Sequence, residues 1–144
     1  MTDTSSLALS VRQPWAEMII SGRKPIEVRT WQRSYRGRIW IHAGREKDEA
    51  LELLFGYREL FRGGYVGSAE VTSIEYIDNH RWEAWREMHH DRGPFQPNLF
   101  AWVLAHPRRL PSPVPAKGDV GLYTVPEETL RQLIEADRTS SVGQ

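Results

Sequence analysis

No cysteine occurs anywhere in the chain, so disulfide staples, thiolate zinc sites and cysteine nucleophiles are excluded by inspection. Long apolar runs are missing too. The longest, Leu99 to Ala105, falls far short of a membrane-spanning helix, and Met1 to Ser10 has neither the basic start nor the apolar stretch of a secretory signal. A cytoplasmic protein with no membrane association is therefore the expectation. Net charge is absent as well: 19 basic and 19 acidic residues cancel, which argues against indiscriminate coating of nucleic acid. No converging ligand set for a metal and no nucleophile elbow can be identified, so neither a metal nor a cofactor is expected.

What is present is core-forming material. The 144 residues are 40% hydrophobic with six Trp, enough for one self-folding domain and too few for two comfortable ones. Its core is expected over about residues 7–136, with 137–144 as a flexible tail. The charges that cancel overall are unevenly spread. Between Arg23 and Arg45 stand Arg23, Lys24, Arg29, Arg33, Arg36, Arg38 and Arg45 against a single acid, Glu27, whereas Glu46 to Asp91 is mainly acidic. The basic run has the local character of a nucleic-acid contact.

Leu7 to Val11 reads as a strand, and Gln13-Pro14 opens a short helix with Trp15, Met18 and Ile19 on one face. Ile26 to Thr30 alternates apolar residues with Glu27 and Arg29, a strand with one polar face. Arg38 to Ala43 is a second strand, with Ile39 and Ile41 on one side and Trp40 and His42 on the other; the two are expected to pair as a hairpin. Ala50, Leu53, Leu54, Tyr57, Leu60 and Phe61 predict an amphipathic helix from Lys47 to Phe61. Tyr65 to Ile77 is a long strand whose apolar face switches near Thr72-Ser73, predicting a bulge. A short exposed helix over 79–91, a central strand over 99–105, a proline-rich connector through Pro115, a last strand over 121–125 and a helix from Pro126 complete the pass. Short bent strands with interleaved helices and no βαβ alternation place the chain in the α+β class, as a small mixed β-barrel with helices packed around it.

Three stretches taken together resemble the ASCH family of PUA-like domains: Ala8 to Trp15 with its Gln-Pro-Trp, the hallmark Gly22-x-Lys24-x-x-Glu27-x-Arg29, and Gly37-Arg-Ile-Trp-Ile-His-Ala43. Pro115-x-Lys-Gly118 follows in family order, so the resemblance runs from Leu7 to Val125. It implies a PUA-like barrel, a cleft lined by Lys24, Glu27 and Arg29, and a role in RNA metabolism; relatives include nucleic-acid binders, amidohydrolases acting on N4-acylated cytidine and proposed ribonucleases. Family likeness fixes fold better than function.

The residue chemistry fits a binding module. Glu27 and Arg29 are two apart and share a strand face, with Lys24 delivered from the turn. Arg29 offers a bidentate fork, Lys24 a mobile ammonium and Glu27 an acceptor for an exocyclic amine. Gln13, Trp15, Arg36, Arg38 and His42 complete the candidate ligand-binding set; Trp15 reads better as core than as a stacking platform, while Trp31 and Trp40 suit either role. Single-stranded RNA or a nucleotide is the expected partner, with DNA a further candidate. Were the protein an enzyme, Lys24 and Glu27 would be catalytic. The hydrolase branch, however, typically carries Thr where Glu27 stands, and an acid beside Lys24 keeps its ammonium protonated and a poor base.

Overall fold

The computed structural model describes residues 5–142. Six strands form one sheet in the order β2-β5-β4-β3-β1-β6, where β1 is Leu7–Val11, β2 Ile26–Arg29, β3 Gly37–Ala43, β4 Gly64–Ile77, β5 Leu99–Pro115 and β6 Leu122–Thr124. Only β1 and β3 pair in parallel; the other neighbours are antiparallel. The sheet curls into a half-barrel that does not close: β2 and β6 are its two edges. The α+β class expected from the sequence holds, and the correction concerns closure alone: the sheet is an open half-barrel and not a barrel. Among the described residues no helix is long and apolar enough to cross a membrane.

Helix α1 (Trp15–Ile20) plugs one face of the curl. Its Ala16, Ile19 and Ile20 pack with Leu9, Ile39, Ile41, Val71 and Trp102 from the strands. On the opposite face α5 (Glu127–Val142) sets Leu133 against Trp40, Tyr65 and Leu110. A third cluster joins Ile26 of β2 to Trp82 of α3 (Asn79–Ala84), followed by α4 (Arg86–His89). The alternation in β3 is thus real, but both of its faces are buried.

Several local expectations are corrected. β2 and β3 are not a hairpin: β2 crosses to the far edge and pairs only with β5, Ile26 opposite Val103 and Arg29 opposite Phe100. α2 covers only Glu49–Leu54, because Gly56 at φ +87 and Glu59 at φ +53 break the helix inside the apolar window. Leu53 and Leu54 consequently stay 47% and 55% exposed rather than packing on the sheet. The proline connector is instead the second half of β5; α5 runs to Val142, and the last two positions of the expected tail, 143–144, lie outside the described residues. The β4 bulge lies where the face switch put it, between Val71 and Ser73, with two further register shifts upstream.

Candidate functional site

The hallmark residues fold into one hydrogen-bonded row. Lys24 leaves the turn after α1 with its backbone N–H on the Met18 carbonyl, 2.9 Å away, and its side chain turns inward until only 3% of the residue is exposed. The ammonium donates to the carbonyl oxygens of Ile26, at 2.8 Å, and His89, and lies 3.6 Å from the Glu27 carboxylate. It also sits 4.8 Å from the centre of the Trp15 ring. The other Glu27 oxygen accepts from Arg29 Nε at 3.0 Å. Arg29 then reaches across the open side of the curl to the Ser10 carbonyl, 2.7 Å away. One buried acid is therefore shared by two cations. Burial pushes the Lys24 pKa below its ordinary value, opposed first by Glu27 and then by Asp91.

The remaining candidate residues are placed differently. Gln13 is buried and its amide is spent on the backbone, donating to Phe61 O at 2.8 Å and accepting from Glu17 N at 2.9 Å. Trp15 is half-buried, edge-on to Phe55. Arg36 is exposed and folds back on the Arg33 and Tyr35 carbonyls. Arg38 is buried, donating to Ser68 Oγ at 2.9 Å and His106 O at 2.8 Å. Neither Gln13 nor Arg38 has an amide or guanidinium face turned to solvent for a ligand.

His42 leads to a different opening. A cleft of about 680 Å³ is bordered by Ser10, His42, Arg45, Lys117, Gly118 and Asp119, a size usual for small-molecule sites. It adjoins the hallmark row, since Ser10, whose carbonyl holds Arg29, is in its wall. Trp31 lies next to it as well: a Cβ on Gly121 would stand 3.4 Å from the indole, and the guanidinium of Arg33 lies 4.5 Å from the ring centre. Arg45 and Lys117 are exposed and, among the described residues, neither meets a carboxylate. Arg12 nearby is paired with Glu46 at 3.5 Å.

The His42 ring is 4% exposed, stacked edge-on with Tyr65, and its Nε2 lies 2.8 Å from the Ala116 carbonyl. That oxygen can only accept, so Nε2 carries a hydrogen. Nδ1 is buried and has no hydrogen-bond partner. Gly118 packs directly against it; a Cβ there would come within 2.6 Å of Nδ1 and Cε1. Sequence reasoning did not place Ser10, Lys117 or Asp119 at a site, and named Arg45 only as the end of the basic run. The signal available was the Pro115-x-Lys-Gly118 element, quoted for family order rather than for chemistry.

The ASCH domain family model matches residues 9–114. Activating signal cointegrator 1 of Homo sapiens is 30% identical over 124 residues, which make up 80% of this chain and 21% of that protein; the protein of the same name from Mus musculus is 28% identical over the same shares. The chain thus spans about a fifth of the length of these relatives. The crystal structure of ASCH from Zymomonas mobilis matches with a TM-score of 0.67 at 18% identity, over 92% of this chain and 96% of that one. A single-residue mutant of it gives 0.66 at 17% identity, over 90% and 96%. At such identities the likeness speaks for the fold alone.

Proposed function

Since the chain belongs to the ASCH domain family, we propose that it is a binding module for single-stranded RNA or a nucleotide, which seats in the cleft beside His42. One observation carries this reading: two cations without carboxylate partners among the described residues, Arg45 and Lys117, flank a ligand-sized cleft in a protein whose formal charge is zero. Cations concentrated on a concavity attract phosphate even where the whole molecule is neutral. Arg33 over Trp31 adds a ring-and-cation surface at the same side, the combination that single strands use for stacking. The Lys24–Glu27–Arg29 row serves as the buried support of this cleft, anchoring its Ser10 wall.

The catalytic readings, amide hydrolysis of an acylated cytidine and RNA cleavage, both need a free base or nucleophile. Lys24 donates to two backbone carbonyls and, together with Arg29, pairs with Glu27, which weighs against them.

Fluorescence anisotropy of a labelled single-stranded RNA tests the binding reading. Affinity should fall with salt, and Arg45→Ala and Lys117→Ala should each reduce the logarithmic salt slope by about 0.7 for every phosphate that the side chain neutralises. Both residues are exposed, so folding should be unaffected. Salt-independent binding, or none at micromolar RNA, would refute the reading.

A further inference from the structure

A second surface adjoins the cleft, on the inner face of the curl. Residues that stand opposite one another in neighbouring strands share a face, and Arg29 of β2 faces Phe100 of β5, which faces Tyr76 of β4. One step inward the same face carries Glu27, Trp102 and Ile74, of which Trp102 and Ile74 join the core around α1. The other face of these strands, with Ile26, Ala101 and Ile77, is covered by Trp82 of α3. The outer row is left at the rim. Phe100 and Tyr76 belong to none of the three core clusters; their rings meet edge to face at 5.9 Å, and Tyr76 is 49% exposed. Past Arg29 the row continues with Trp31, whose ring centre lies 5.8 Å from the Arg29 guanidinium and 4.5 Å from that of Arg33. Trp102 backs it at 5.1 Å, and Gly121 places it beside the cleft. Rings and guanidinium groups thus alternate from the cleft to Tyr76. The one acid among these strand positions, Glu27, is buried and neutralised by Lys24 and Arg29.

Resting on the RNA-binding reading above, we infer that the rim row of Trp31, Arg29, Phe100 and Tyr76 is a base-stacking platform that extends the cleft, so that the ligand is a single strand of several nucleotides and not a lone nucleotide. Charge decides what the row suits. An apolar protein face laid over it would have to cover guanidinium groups without answering them. A single strand answers both parts, its bases stacking on the rings and its phosphates meeting the cations. From Arg29 to Tyr76 the row crosses two strand spacings, about 10 Å, room for more than one base, and rings on an open sheet face are how sheet-based RNA modules hold successive bases. Since every base has a flat face, such a platform adds affinity with length and little preference for sequence.

Anisotropy of the full chain with fluorescein-labelled oligouridylates of two, four and six residues, and with UMP as unlabelled competitor, tests the platform. Affinity should rise from UMP to the hexamer by about tenfold or more, the contribution of one or two stacked bases. Tyr76→Ala, at an exposed position, should remove most of that rise without changing the salt slope, and Tyr76→Trp should retain it. Lys117→Ala, in the cleft, should weaken UMP and hexamer alike. A hexamer that binds no tighter than UMP would overturn the platform while leaving binding in the cleft intact, and so would a gain with length that survives Tyr76→Ala. Analytical ultracentrifugation supplies a separate arm: a dimer that Tyr76→Ala splits would make the row a contact between two copies of the chain and overturn the stacking role. If neither UMP nor any oligouridylate binds, the RNA-binding reading falls and the platform with it.

Discussion

The Lys24 ammonium donates to two carbonyl oxygens and pairs with a carboxylate 3.6 Å away, and this changes what a truncation would do. From sequence, a pocket lysine is expendable for folding. In the structure, Lys24→Ala leaves the Ile26 and His89 carbonyls and one Glu27 oxygen buried without a donor, so a loss of about 3 kcal/mol is expected from urea unfolding. The same committed protons predict that the protein releases no cytidine from N4-acetylcytidine, which chromatography of an overnight incubation checks. His89 in α4 supplies a pH dependence. Its Nε2 donates to Trp82 O and its Nδ1 accepts from Asp91 N, so a second ring proton would point at an amide hydrogen. Burial accordingly holds its pKa below the ordinary value of 6.5. The unfolded chain then binds a proton that the folded one refuses. Stability is fully present above about pH 6.5 and declines as pH drops below it toward the folded pKa, by at most about 1.4 kcal/mol per pH unit from this group. Urea midpoints at pH 7.5 and 5.5 should differ in that direction, and less so in His89→Gln.

Helices of six residues each, α1 and α2 look alike in sequence pattern and behave oppositely. Met18 in α1 is fully buried, whereas Leu54 in α2 is more than half exposed. Met18→Ala should therefore cost about 2–5 kcal/mol, while Leu54→Gln should stay within about 0.5 kcal/mol; thermal unfolding of the two variants separates them. Periodicity identifies which residues share a face but says nothing of whether another element arrives to cover that face, and for Leu53 and Leu54 none does. Gly56 was the readable stop and lay inside the apolar window. The prolines of β5 misled for a related reason. β2 pairs with β5 only as far as Val103, so the later part of β5 has a neighbour, β4, on one side only, and Pro107, Pro111 and Pro113 occupy a strand with an open edge where a missing N–H is tolerated. Partners were the least legible feature: alternation over Ile26 to Arg29 gave the strand and its polar face correctly, yet sequence adjacency suggested β3 as its mate. The hallmark row was legible because Lys24, Glu27 and Arg29 lie close in the chain. The cleft was not, since Ser10, His42 and Lys117 come together only through the β1–β3 pairing and the return of the chain after β5.

At the scale of the molecule, β5 is the member on which the sheet depends, being the partner of both β2 and β4. A fragment of residues 1–98, although it contains four of the six strands, should lack dispersed amide resonances in an NMR spectrum, because β2 would have no ladder and β4 would be stripped of its longest one. The open half-barrel also has a consequence for how the protein is made. β2 leaves the ribosome well before its partner: Leu99, where β5 begins, follows Arg29 by 70 positions. At roughly 5–20 residues per second, the segment that carries Glu27 and Arg29 waits about 4–14 s before a strand exists to receive it. Ile26 and Val28 are uncovered throughout that interval. The Lys24–Glu27–Arg29 row is thus left unassembled until β5 arrives, and slowing translation between Arg29 and Leu99 lengthens the period in which the nascent chain is open to mispairing.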